Sequence, residues 1–182
     1  PPPLTMSEVI APLEACYESL QMVSLGVLAR GCLLDTLRRA HCFGPYLIQL
    51  DIRQESARHT QAISELTEAL AVGNYQDWSE HQRCEWLRAE LHNPRPLLPR
   101  DWNPTPETQE VIDTFFVIAE TPQSALGSYV ISMAAEASDV LAVQLLLKAT
   151  GCGTEMLVAP LFETLDDLES APRVIEELLS DA

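Results

Sequence analysis

From Tyr129 to Phe162 the chain reads strand, helix, strand, and no other feature limits its fold as much. YVISMA (Tyr129 to Ala134) is short, apolar and β-leaning. Ser138 can cap the helix that follows, DVLAVQLLLKAT, which is apolar on nearly every side and closes at Gly151. MLVAPLF, Met156 to Phe162, is a second β-leaning run. Two strands joined by one helical crossover pair in parallel through a right-handed connection. A helix apolar all round must itself be buried.

A further strand is predicted upstream. YLIQLDI, Tyr46 to Ile52, is bounded by Gly44-Pro45 and by the polar run Arg53, Gln54, Glu55 and Ser56, so it reads as a buried strand with a polar exit. Ser56 is placed to cap a helix whose apolar stripe is Ala62, Ile63, Leu66, Ala69 and Leu70, and Gly73 stops it. Helical spacing from Ser7 to about Ala40 predicts a lead-in divided at Gly26 and Gly31, with Arg38, Arg39 and His41 in its last turn. A helix over Trp78 to Leu91 leads into NPRPLLPRDWNPTP, whose prolines forbid regular structure and which Trp78, Trp86 and Trp102 are expected to pack down. Thr105, Pro106 and Glu107 start a helix running to about Glu120. Thr164 with Asp167 resembles a capping box, and Ser170 with Pro172 is expected to begin the last helix. Three buried parallel strands then deliver polar residues at their C-terminal ends, the active-site edge of an α/β barrel or of a doubly wound sheet. Three strands cannot close a barrel, so the chain would form an arc of one.

Among its 182 residues, 27 acidic side chains face 11 basic ones, a formal charge of −16. Such a field repels phosphate backbones and anionic lipid, which argues against nucleic-acid and membrane partners. The five cysteines form no CxxC pair, which favours a reducing compartment, and PPPLTM has no leader pattern. The cytosol is the expected address. The missing initiator Met and the polar ending at Ser180, Asp181 and Ala182 suggest a stretch of a longer protein.

Two residues stand out. Arg53, leaving the first strand, either grips a phosphate or carboxylate through its two-pronged donor set or pairs with Asp51 or Glu55 to order the loop. Glu163, ending the third strand, either supplies an oxygen to a hard divalent cation or joins Asp166 and Asp167 in complementing a helix N-terminus. The two are expected to project from neighbouring strands into one cavity. Ser56 with His59 reads as a capped first turn rather than a nucleophile and base, and His81 with Cys84 lacks the companions of a zinc site. GCG at 151 to 153 follows a helix, so it is no phosphate loop.

Five stretches, in order and at matching spacing, resemble the phosphoenolpyruvate carboxylase family of the bacterial and plant type. They are LDIRQESARHT (Leu50 to Thr60), RPLLPRDW (Arg95 to Trp102), SYVISMA (Ser128 to Ala134), SDVLAVQLLLK (Ser138 to Lys148) and VAPLFETLDDL (Val158 to Leu168). The resemblance implies an α/β, predominantly helical fold: an arc of a parallel (β/α)8 TIM-like barrel with about three strands and long helical insertions. It makes 1–182 a single piece of that domain, with a helical lead-in over 1–44, a strand plus helical and proline-rich insertion over 45–128, and a βαβ unit with helices over 129–182. It further implies a cytoplasmic homotetramer that needs Mg²⁺ or Mn²⁺ but no biotin. Such an enzyme joins bicarbonate to phosphoenolpyruvate, giving oxaloacetate and inorganic phosphate. By motif, Arg53 is the catalytic and substrate-binding arginine and Glu163 a metal ligand. The family's catalytic histidine, second metal carboxylate and Gly-rich loop fall outside this stretch, so the isolated chain is expected to be inactive. The rival reading is a non-catalytic acidic helical module that keeps the scaffold and binds a protein partner.

Overall fold

The computed structural model describes residues 5–152 and 156–180. Of the readings above, those on the first four residues of PPPLTM, on Gly153 and on the last two residues lie outside that range. The chain divides into two compact units, Pro1–Gln49 and Leu50–Ala182.

The first unit holds α1 (Met6–Met22), α2 (Gly26–Ala29) and α3 (Cys32–Phe43). Ser7 is not the cap: Thr5 precedes α1, and the Glu8 carboxylate accepts from its backbone N–H at 2.7 Å. The break before α2 includes Ser24 in the left-handed region at φ 62°, and Gly31 occupies the cap position of α3. Helices α1 and α3 pack together, with His41 Nε2 3.1 Å from a Glu14 oxygen.

The second unit is built on a three-stranded, all-parallel sheet of order β1-β2-β3. It contains β1 (Leu50–Glu55), α4 (Ser56–Ala69), α5 (Glu80–His92), α6 (Pro106–Glu120), β2 (Leu126–Ser132), α7 (Ala137–Ala149), β3 (Val158–Pro160) and α8 (Leu165–Ser180). The βαβ unit is present as β2-α7-β3, and α7 is buried along most of its length.

The first strand lies further along than its apolar run suggests. Leu47 takes φ 65° and the Ile48 N–H bonds the Tyr46 carbonyl, so 46–48 is a tight turn and Arg53 falls inside the strand instead of beyond it. Nor are all three strands buried. Among the described residues β1 has one paired edge and alternates exposed with half-buried residues, β3 is half-buried, and β2 alone is mostly buried.

Core packing falls mainly on Leu66, Phe115, Tyr129, Ile131, Leu145 and Leu146, contributed by α4, α6, β2 and α7. Ala69 is exposed and stands outside this face. Leu97 of the proline-rich loop is buried, with Trp78, Trp86 and Trp102 packed against the core, as expected of an ordered loop. Side chains anchor the helix ends. Glu65 accepts from the Thr105 N–H (2.9 Å), the Thr105 hydroxyl (2.7 Å) and the Thr108 hydroxyl (2.8 Å), tying the start of α6 to α4. Lys148 on α7 donates to the carbonyls of Glu90, Leu91 and Asn93, which end α5.

Three more cap assignments change. Glu55 holds the position before α4 and Ser56 opens the helix. Glu136 precedes α7, with Asp139 accepting from its N–H at 3.1 Å, while buried Ser138 bonds Glu80. Helix α8 runs unbroken through Ser170 and Pro172, because the capping box of Thr164 and Asp167 already opens it. All five cysteines are free thiols, and no helix among the described residues is long and apolar enough to cross a membrane.

Candidate functional site

Residue alternation divides the sheet into two chemically different faces. Ile52, Tyr129 and Val158 form one cross-strand row, and Gln54, Ile131 and Pro160 another; Tyr129 and Ile131 are fully buried among the helices. Arg53, Val130 and Ala159 form the intervening row, which points the opposite way. Arg53 is exposed, and no ion pair or hydrogen bond joins it to another described residue. The ion pair offered as its ordinary explanation is therefore not made. Asp51 is engaged elsewhere: its Oδ1 accepts from the Ser128 N–H at 2.8 Å, at the register shift between Leu50 and Ile52. Gly127 leaves the space for that carboxylate, since a Cβ there would stand 2.4 Å from Asp51 Oδ1.

Glu163 lies three residues past β3. The ladder continues beyond the strand, because the Leu161 N–H donates to the Ile131 carbonyl (2.9 Å) and the Leu161 carbonyl accepts from Ala134 (3.3 Å). Phe162 packs on the core, and Leu161, one step beyond Pro160 in the alternation, belongs to the Arg53 row. Glu163 is exposed. Of the acids grouped with it, Asp167 serves the helix start, accepting from the Thr164 N–H at 3.0 Å, and these Thr164 contacts hold its carboxyl below the usual range. The two candidate residues do not stand on neighbouring strands: β2 lies between β1 and β3. Among the described residues no three His, Cys, Asp or Glu side chains gather closely enough to hold a metal ion. A single carboxylate still suits Mg²⁺, which takes one or two from protein and keeps several waters.

Two features at this sheet edge were not legible as site structure. The Ser56 hydroxyl donates to the Met133 carbonyl at 2.7 Å, linking the start of α4 to the end of β2. Met133 sits in the left-handed region at φ 54°, a conformation costly for a side chain of its size. Beneath β1, fully buried His59 has its Nε2 2.8 Å from Tyr129 Oη and 3.1 Å from Gln54 Oε1. Burial, then the nearby Arg58 charge, pushes the His59 pKa down to about 4, so the ring is neutral. A serine and a histidine three apart signalled only a capped turn, and nothing local in the sequence pointed to partners on another strand.

The family model for phosphoenolpyruvate carboxylase matches residues 4–182. The chain belongs to the phosphoenolpyruvate carboxylase family. It is 58% identical over 169 residues to the phosphoenolpyruvate carboxylase of Aliivibrio salmonicida, covering 93% of this chain and 19% of that protein. The Escherichia coli O1:K1 phosphoenolpyruvate carboxylase is 57% identical over 178 residues, covering 97% of the chain and 20% of the relative. The chain thus spans about a fifth of the length of these carboxylases. Each of the five stretches that resemble the carboxylase family has a definite place in the fold, Arg95 to Trp102 in the loop between α5 and α6. Leu50 to Thr60 is β1 with the first turn of α4, Ser128 to Ala134 lies on β2 and its exit, Ser138 to Lys148 is α7, and Val158 to Leu168 runs from β3 into α8.

Proposed function

We propose that this segment is part of the barrel of an enzyme that carboxylates phosphoenolpyruvate with bicarbonate, releasing oxaloacetate and inorganic phosphate. On this reading the parallel sheet is an arc of a (β/α)8 barrel, and the face carrying Arg53 is its interior. The observation that supports this most is an exposed arginine, without a partner among the described residues, inside a parallel strand of a chain that matches the carboxylase family over residues 4–182. A guanidinium not already neutralised is available to a phosphoryl group, whose oxygens match its paired N–H donors.

Arg53 binds the phosphate of the substrate and stays with it as the phosphoryl group passes to bicarbonate, offsetting charge on its oxygens. Breakdown of the resulting carboxyphosphate releases phosphate and carbon dioxide, and the enolate of pyruvate attacks that carbon dioxide. Glu163 supplies one oxygen ligand to Mg²⁺ or Mn²⁺, which when bound acts as Lewis acid and template for the enolate oxygen. The remaining ligands and the acid–base groups belong to the rest of the enzyme, which is a cytoplasmic homotetramer working without biotin. The isolated 182-residue chain is inactive.

The test is oxaloacetate formation, coupled to malate dehydrogenase, by the complete enzyme. Arg53→Ala should lower kcat/KM by at least about 100-fold, the scale of losing one charge-stabilising donor. Full activity in that variant would overturn the assignment, and steady turnover by the isolated chain would overturn its inactivity.

A further inference from the structure

We infer that Gln54, His59 and Tyr129 are positioning residues for Arg53, an inference that rests on the substrate-binding reading of Arg53 above. Gln54 follows Arg53 in β1, and their side chains leave the strand on opposite faces. Gln54 Oε1 accepts from Tyr129 Oη at 2.9 Å and lies 3.1 Å from His59 Nε2; His59 Nε2 and Tyr129 Oη are 2.8 Å apart. One triangle of polar atoms thus joins β1, α4 and β2 directly behind the arginine.

Counting protons gives the triangle a single arrangement. Tyr129 has one hydroxyl proton, and it goes to Gln54. Neutral His59 then carries its proton on Nε2 and donates to the Tyr129 oxygen, leaving Nδ1 as a bare acceptor. His59 Nδ1 is indeed buried with no hydrogen-bond partner among the described residues. The other tautomer would bury an unpaired N–H, which is worse still. Stability alone does not account for this side chain, because an apolar residue of similar size would fill the same space with no orphaned nitrogen.

Register does account for it. A slip of one residue would send Arg53 into the helices and Gln54 to the other face. Most strands prevent this through apolar residues on one side, but β1 offers little of that: Leu50 is 64% exposed and Ile52 is half-buried. Among the described residues the strand has one paired edge, and its ladder is already irregular between Leu50 and Ile52. The polar triangle supplies the missing specification, setting Gln54 against Ile131 and hence Arg53 against Val130. Phe115 stacks on Tyr129 at 5.2 Å and 14°, holding the phenol in place.

The experiment is a kinetic double-mutant cycle in the complete enzyme with phosphoenolpyruvate as the varied substrate. Tyr129→Phe keeps the stacked ring and removes one oxygen. Gln54→Met keeps length and removes the acceptor, giving a second route should either variant fold poorly. Since misplacing a reacting group by about 1 Å can cost on the order of 100-fold, this partial loosening should raise KM for phosphoenolpyruvate by about tenfold. In an Arg53→Ala background the same substitutions should raise KM by less than about twofold, because they act through a residue no longer there. A full effect persisting in that background overturns the positioning role while leaving Arg53 in place. So does a fall in melting temperature with KM unchanged. Arg53→Ala with wild-type kinetics overturns both readings at once.

Discussion

Replacing Lys148, the one lysine in the chain, by methionine should destabilise the fold out of proportion to its partly exposed position. The Lys148 ammonium donates to the carbonyls of Glu90 and Leu91 at 2.7 Å each and of Asn93 at 2.5 Å, spending all three of its protons on the end of α5. Those carbonyls lie at the end of the helix, where its negative pole sits and where only Glu90 also accepts a backbone N–H, that of Asn93 at 3.2 Å. Hydrogen bonds involving a charged group contribute roughly 1.5–3 kcal/mol each, and the dipole adds about 0.3–1 kcal/mol. Water replaces some of this at a half-buried site, and the ammonium's own desolvation offsets more. A net loss of about 2–3 kcal/mol remains, a factor of roughly 30 to 150 in the folding equilibrium. Methionine keeps the length of the apolar stem, so the loss reports on the charged tip. Urea unfolding followed by circular dichroism reads it directly, with Arg39→Met, at an exposed position, as the control for removing one charge. Lys148→Arg should recover only part of the loss, because a planar guanidinium cannot aim donors at three converging oxygens. If Lys148→Met unfolded within about 0.5 kcal/mol of wild type, the range typical of ordinary surface changes, the capping account would be wrong.

His59 makes stability fall on mild acidification. Its folded pKa of about 4 lies below the unfolded 6.5, so the unfolded chain takes the proton first. The contribution is complete above pH 6.5 and declines as pH drops toward 4, by about 2 kcal/mol between pH 7 and 5. Unfolding free energies at those two pH values, compared with His59→Gln, should show that extra decline in the wild type alone; parallel curves would refute it. Gly127→Ala should cost about 1–2 kcal/mol, because the new Cβ displaces Asp51 and breaks its bond to the Ser128 N–H. The cost should vanish in an Asp51→Ala background by thermal melting, and a penalty that persists there would locate the strain elsewhere.

Local signals rendered some of this architecture well. The strand–helix–strand reading of Tyr129 to Phe162 corresponds to β2-α7-β3, and the Thr105-Pro106-Glu107 signature gave α6 its observed bounds, Pro106–Glu120. Both rest on periodicity and capping, which act over a few residues. The misplaced start of β1 has a different origin. Tyr46 to Ile48 is apolar enough for a strand, yet Leu47 adopts a left-handed turn, and backbone strain of that kind leaves no mark on composition. Serine caps were overcounted for a related reason. Ser56 and Ser138 look like helix starts, but their hydroxyls reach Met133 and Glu80, partners 77 and 58 residues away. Arg53 and Glu163 stood out as polar residues next to apolar runs, whereas their places inside β1 and past β3, the intervening β2 and the Gln54–His59–Tyr129 triangle depend on strand order and register, which only tertiary pairing decides.

A crystal structure of the complete enzyme with Mn²⁺ and a phosphoenolpyruvate analogue would test the proposed roles of Arg53 and Glu163 most directly. A Glu163 oxygen should stand about 2.0–2.3 Å from the metal, and Arg53 nitrogens about 2.7–2.9 Å from the phosphoryl oxygens. A ligand bound with Arg53 turned away, or a metal shell without Glu163, would contradict it.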